Sequence, residues 1–297
     1  MTLVQGPFGT VLTAIATAFH ADGSLDLDGT KRVAKHLVAH GHDGLVVSGT
    51  TGESPTTTVE EDGQIFRAVR EAVGTDVKLV AGIGTNDTRT TLQLAAQAEA
   101  NGADGLLLVT PYYSKPGQAG ILAHFKQVAD ATTAPIMLYD VPGRTGTKIS
   151  LETYREIATW GRVSAVKDAA GDVTQAAALT DLGYAVYSGD DALTLGFLAY
   201  GAVGVVSVVA HAAGNEIRAM IEAFRAGDLA TAQKINLQLT PAFHAVMGAS
   251  NYGATTAKAA LQLLGVLDNR NVRSPLIALD DAEYEDLRAG LTQAGLL

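Results

Sequence analysis

Eight short apolar runs, each followed by a segment whose apolar residues recur at helical spacing, predict a (β/α)8 TIM barrel. Two further observations support that fold. The runs are near-continuously apolar, as strands of a parallel sheet buried on both faces should be. The polar and aromatic clusters of the chain also fall just after the runs, at the strand ends where a barrel builds its active site.

In order, the strand-like runs cover residues 11–16, 44–47, 78–81, 105–109, 136–139, 163–167, 185–188 and 203–207. The helical patterns between and after them cover 27–39, 59–72, 88–100, 121–131, 151–159, 173–181, 193–199 and 217–226. The first carries Leu27, Val33, Leu37 and Val38 on one face, the second Ile65, Phe66 and Val69. His40-Gly41 and Asn101-Gly102 read as helix stops, with glycine in the left-handed cap. Asp172 reads as the N-cap of the helix after the sixth run. The barrel should therefore occupy residues 1–226 and carry the active site. Residues 227–297 should form a three-helix extension (229–247, 255–264 and 281–294) packed on the barrel rather than an independent domain.

The bulk properties narrow the function. With 297 residues, 47% of them hydrophobic, the chain can build one large core. A formal net charge of -10 suits neither nucleic acid nor an anionic membrane, yet a local Arg or Lys can still receive an anionic small molecule. The absence of Cys excludes disulfides, thiolate catalysis and cysteine metal sites. No signal-peptide pattern opens the chain, and its longest apolar stretch, residues 205–213, is too short to span a bilayer. The expected setting is cytoplasmic.

Lys167 ends the sixth run. A solvated lysine is the ordinary reading of such a position, but the rim around it is rich in functional groups. After the second run comes Gly49-Thr50-Thr51-Gly52-Glu53-Ser54, and after the fourth Thr110-Pro111-Tyr112-Tyr113. The fifth ends in Tyr139-Asp140-Val141-Pro142-Gly143-Arg144-Thr145-Gly146, and the seventh leads into Gly189-Asp190-Asp191. The fifth and sixth strands are neighbours about 4.8 Å apart, so Tyr139 and Lys167 can both face the barrel mouth. Strand parity then turns Asp168 away from Lys167 and makes it structural. An apolar barrel interior lowers the lysine pKa from about 10.4 and frees the amine for a Schiff base with a ketone or aldehyde. A nearby tyrosine can shuttle the carbinolamine proton, and Thr50 and Tyr113 can pass it to solvent.

These motifs, in this order and on these strands, resemble the dihydrodipicolinate synthase family, a branch of the pyruvate-dependent class I aldolases that include N-acetylneuraminate lyase. The likeness covers the whole chain. It implies condensation of pyruvate with L-aspartate 4-semialdehyde, with no cofactor beyond a covalent pyruvate Schiff base on Lys167 and no metal. It assigns Tyr139 as proton shuttle and Thr50 and Tyr113 as partners in a hydroxyl relay, the latter reaching in from a neighbouring subunit. Thr51 would bind the pyruvate carboxylate and Arg144 the carboxylate of the second substrate. Gly189 and Val206 would line the pyruvate pocket, and the assembly would be a homotetramer, a dimer of dimers.

The chain departs from the family at several positions. Asp140 stands where Asn is common, and no change in the reaction is expected from it. Ser54, Asn86 and Tyr112 match the family's lysine-inhibition site, but Val59, Asp62 and Thr90 replace its two histidines and its glutamate. Feedback inhibition should therefore be weak or absent. A sibling aldolase acting on N-acetylneuraminate or a 2-keto-3-deoxy sugar acid is the alternative, and Arg144 argues against it. A non-catalytic barrel that binds a keto acid is the alternative of another class. Gly82-Ile83-Gly84 lacks the third glycine of a dinucleotide fingerprint and reads as a tight turn. His36, His40 and His42 lack a further ligand in step and are not read as a zinc site. Asp190 and Asp191 read as a helix start and are left out of the catalytic set.

Overall fold

The computed structural model describes residues 6–249 and 252–297. Strands β1 (Val11–Ala14), β2 (Gly44–Val47), β3 (Lys78–Gly82), β4 (Gly105–Val109), β5 (Ile136–Asp140), β6 (Val163–Asp168), β7 (Ala185–Ser188) and β8 (Gly204–Ser207) close into a barrel in chain order. Every neighbouring pair is parallel, and β8 returns to pair with β1. Around it run α1 (Leu27–Ala39), α2 (Val59–Val73), α3 (Thr88–Ala100), α4 (Gln118–Ala131), the single turn α5 (Pro142–Thr145), α6 (Leu151–Ala158), α7 (Val173–Asp181), α8 (Thr194–Ala199) and α9 (Ala210–Arg225). The helices α10 (Leu229–Met247), α11 (Ala254–Leu263) and α12 (Asp281–Gln293) follow. Among the described residues no helix is long and apolar enough to cross a membrane.

Most helix starts carry a short polar side chain that accepts from an orphan backbone N–H. Asp26, Asp87, Ser150, Asp172 and Asp228 do so for α1, α3, α6, α7 and α10. Thr58 with Glu61, and Asp280 with Glu283, close capping boxes at α2 and α12. The stops at Gly41 and Gly102 have φ of 87° and 78°, conformations that glycine adopts without steric cost.

The core has two shells. Inward-facing residues such as Leu12, Val46, Val80, Leu107, Met137, Ala165 and Val206 fill the barrel, and a larger apolar layer lies between strands and helices. Phe8 plugs the N-terminal end. It packs so close to Gly105 that a Cβ there would lie 2.3 Å from the Phe8 ring. Tyr187 seals the same end, accepting from the Phe8 N–H at 3.2 Å and donating to the Gly9 carbonyl at 3.0 Å. With one end closed by packing, the C-terminal rim is the end left open.

Two helices depart from expectation. The helix after β8 begins at Ala210, not at residue 217. Its cap comes from far along the chain: the Asp191 carboxylate accepts from the Val208 and Val209 N–H groups at 2.9 and 3.2 Å, and Ser207 Oγ accepts from Ala210 N–H at 2.7 Å. The one local start signal, Ser207, ends the strand itself, and the apolar residues after it do not mark a helix start. The turn α5 lies where the sequence pattern marks no helix, and Pro at its first position supplies a helical φ.

Candidate active site

A cavity of about 530 Å³ opens at the C-terminal rim, bordered by Thr50, Thr51, Tyr113, Tyr139, Arg144, Lys167 and Gly189 among others. Of the eight residues expected at the site, these seven meet there. Val206 does not: its side chain is buried in the barrel core beside Leu12, its partner in the β1–β8 register, and Val208 borders the cavity instead. The sequence alone could not say how deep the cavity floor lies along β8.

The register of β5 with β6 sets Tyr139 directly opposite Lys167. Lys167 Nζ lies 4.3 Å from the centre of the Tyr139 ring, and both residues are buried. Burial lowers the Lys167 pKa to about 8; Asp191 opposes the shift and Arg144 adds to it. Burial likewise raises Tyr139 to about 12, with Arg144 pulling it back. The amine is thus partly free near neutral pH, while the phenol stays protonated and able to donate. Gly189 is fitted to this corner. A Cβ there would stand 3.1 Å from Lys167 Cγ and 2.9 Å from Ala169 Cβ, so any larger residue would crowd the lysine.

Parity holds on the outer face. Asp168 and Asp140 are paired in register and buried, but their carboxylates turn to the helix layer. Asp168 accepts from Ala170 N–H at 2.9 Å and from Gln175 at 3.3 Å. Asp140 accepts from Ile149 N–H and the Tyr154 hydroxyl, each at 3.3 Å. Burial, reinforced by Asp168, raises the Asp140 carboxyl to about 7.

The loop after β2 forms two turns of 3-10 helix, Thr50–Gly52 and Ser54–Thr56, which bring Thr51 to the cavity wall and leave Thr50 exposed on the rim. Gly82 allows the close approach that this loop needs, since a Cβ there would lie 2.3 Å from the Ser48 carbonyl. Gly84 is fitted separately, since a Cβ there would lie 2.5 Å from the Val109 nitrogen, and the two contacts together account for the Gly82-Ile83-Gly84 pattern. Tyr113 is 89% exposed with φ of 70°, a left-handed conformation. Among the described residues no hydrogen bond joins the hydroxyls of Thr50, Tyr113 and Tyr139.

Arg144 lies on the exposed turn α5, and Tyr252 stacks on its guanidinium at 4.7 Å. None of the ion pairs among the described residues engages it. Tyr252 and Met247 come from the C-terminal extension and border the same cavity. Sequence reasoning missed both, because nothing local ties residues past the barrel to its mouth. It also set aside Asp191. Asp190 does cap a short turn, donated to by Ala192 N–H, but Asp191 is buried and close enough to raise the Lys167 pKa.

At the expected effector positions, Thr90 donates to its own helix cap Asp87 at 2.7 Å, and Asp62 accepts from Thr57 at 2.8 Å. His36 and His40 stack 4.2 Å apart, and His42 bonds Thr13 inside the barrel wall. Among the described residues no cluster of three or more His, Cys, Asp or Glu could hold a metal.

Fold and site together define a class: a (β/α)8-barrel lyase with a buried amine at the floor of its cavity. The chain belongs to the Dihydrodipicolinate synthetase family, whose sequence model matches residues 7–294. A 4-hydroxy-tetrahydrodipicolinate synthase from Kineococcus radiotolerans is 54% identical over 293 residues, spanning 98% of this chain and 94% of that protein. Among solved structures, a dihydrodipicolinate synthase from Cyanidioschyzon merolae with lysine bound is 39% identical with a TM-score of 0.94, covering 99% of this chain and 100% of that one. A monomeric dihydrodipicolinate synthase variant is 35% identical with a TM-score of 0.93, covering 98% of each chain.

Proposed function

We propose that the chain condenses pyruvate with L-aspartate 4-semialdehyde to give 4-hydroxy-tetrahydrodipicolinate, the first committed step toward lysine and diaminopimelate. The observation that carries this reading is the buried Lys167 amine against Tyr139, in one cavity with an Arg144 that no carboxylate among the described residues pairs with.

The free Lys167 amine adds to the pyruvate ketone, and loss of water from the carbinolamine leaves an iminium. The Tyr139 hydroxyl returns and removes the protons of these steps. Thr51 and the N–H groups at the start of its turn receive the pyruvate carboxylate. Loss of a methyl proton gives an enamine, whose carbon attacks the aldehyde of the second substrate. The substrate's own amine then displaces Lys167 from the iminium carbon, which closes the ring and regenerates the enzyme. The iminium is itself the electron sink, so the chemistry calls for neither metal nor cofactor. Arg144 binds the second carboxylate through its planar fork.

Thr50, Tyr139 and Tyr113 complete the relay when Tyr113 is donated by a neighbouring copy, which fits its exposure. Residues 1–226 then act as the catalytic barrel and 227–297 as its helical extension, in a cytoplasmic homotetramer. Sedimentation tests the assembly, and a monomer with full activity would remove the intersubunit relay.

Incubation with pyruvate and borohydride, followed by peptide mapping, tests the chemistry. A reduced pyruvyl adduct on Lys167, with turnover of aspartate semialdehyde, is expected. Absence of the adduct would overturn the Schiff-base reading, and an adduct without turnover would favour a sibling aldolase.

A further inference from the structure

The turn that carries Thr50 and Thr51 is bracketed by two non-glycine residues in the left-handed region, Ser48 at φ 55° and Glu53 at φ 61°. Such conformations are unfavourable for residues with a Cβ and persist only where the surroundings hold them. The surroundings that hold Glu53 come from the C-terminal extension. Its carboxylate is fully buried, and Lys258 Nζ, equally buried in α11, donates to Oε1. Oε2 accepts from the Arg273 N–H at 2.8 Å. Lys258 also donates to the Asn271 carbonyl at 2.7 Å and sits 4.2 Å over the Phe19 ring. The Arg273 side chain extends the clamp. It donates to the Thr56 carbonyl at 2.9 Å, pairs with Glu61, and lies 4.4 Å from the same Phe19 ring.

A buried ion pair is a poor source of stability, since desolvation of two charges offsets most of their attraction and apolar replacements often serve as well. What it supplies is geometry, because each partner must find the other in one arrangement. Here the pair joins residues 205 positions apart and, with the Arg273 N–H on the second oxygen, fixes a carboxylate two residues from Thr51. We propose that Glu53 and Lys258 are positioning residues, through which the C-terminal extension sets the Thr50–Thr51 turn against the cavity. The inference rests on the roles given to Thr50 and Thr51 above. It assigns the extension a part in catalysis that its distance from Lys167 in sequence does not suggest.

The test compares three groups of variants of the full chain. Glu53→Gln and Lys258→Met break the pair; Leu287→Ala opens a cavity in the buried face of α12 without touching the turn; Thr50→Val and Thr51→Val alter the turn itself. Each is assayed for kcat, for KM toward both substrates, and for the rate of borohydride trapping of pyruvate, below its own unfolding temperature. The pair variants should lose trapping rate and kcat on the order of 10²-fold and raise KM for pyruvate, with KM for aspartate semialdehyde little changed. Leu287→Ala should lower the unfolding temperature and leave all kinetic values near those of the parent. Should Lys258→Met not fold, Glu53→Gln carries the comparison, since it keeps the side-chain shape. Parent-like kinetics in a folded pair variant, or equal losses in Leu287→Ala, would overturn the proposal. If Thr50→Val and Thr51→Val are both fully active, the underlying reading of the turn falls, and this inference with it.

Discussion

Lys167 and Tyr139 occupy the same level of two adjacent strands, with the amine 4.3 Å from the ring centre and both residues buried at the wall of the cavity. Burial moves the two pKa values apart in useful directions. It makes the amine easier to deprotonate and the phenol harder.

The first prediction concerns pH. Only the neutral amine attacks pyruvate, and its pKa lies at about 8. Trapping of pyruvate by borohydride should therefore rise with pH through about 8 and level off above it. A rate independent of pH between about 6 and 9 would count against Lys167 as the nucleophile.

Tyr139→Phe keeps the ring beneath Lys167 and removes only the hydroxyl. Its kcat should fall roughly 10²- to 10⁴-fold, the usual scale of a lost proton shuttle, while thermal stability stays close to the parent's. Stopped-flow or coupled assays of the purified variant would measure the loss.

Arg144→Ala should raise KM for aspartate semialdehyde far more than it slows pyruvate trapping, because the guanidinium binds the second substrate and only adds to the burial that lowers the Lys167 pKa. Tyr252→Ala removes the ring 4.7 Å from that guanidinium and should produce a weaker version of the same defect. Steady-state kinetics with each substrate varied in turn separates the two effects.

Asp140 provides a stability test. Its folded pKa, about 7, lies above the ordinary carboxyl value, so the native state binds a proton more tightly than the unfolded chain. The sign follows: this contribution is present at low pH and is lost as pH rises through about 7. Asp140→Asn, which carries no charge, should gain roughly 1–3 kcal/mol on the parent at pH 8 and much less at pH 5, as read by denaturant unfolding.

L-Lysine should inhibit weakly or not at all. Val59 offers no polar atom, and Thr90 and Asp62 are already bonded within the chain. A dose–response assay measures this, and inhibition at low-millimolar lysine would contradict it.

The barrel was legible because its signals are local. Apolar runs and helical spacing mark where strands and helices lie, and among the described residues seven of the twelve helices carry a side-chain cap at Asp26, Thr58, Asp87, Ser150, Asp172, Asp228 or Asp280 that can be read off a few residues. The helix beginning at Ala210 was not legible over its first two turns, because its cap, Asp191, lies 17 residues from Val208.

By itself the sequence determined the strand order, the placing of the polar clusters at the strand ends, and the facing of Tyr139 and Lys167 to the barrel mouth with Asp168 turned away. All of these follow from periodicity and alternation, which act between near neighbours on the chain. Only the tertiary structure decided that Val206 lies beneath the cavity while Val208 borders it, that Tyr252 covers Arg144, and that Lys258 locks Glu53. Depth within a cavity and the pairing of side chains across the molecule depend on packing between distant segments, and no pattern within a single segment encodes them.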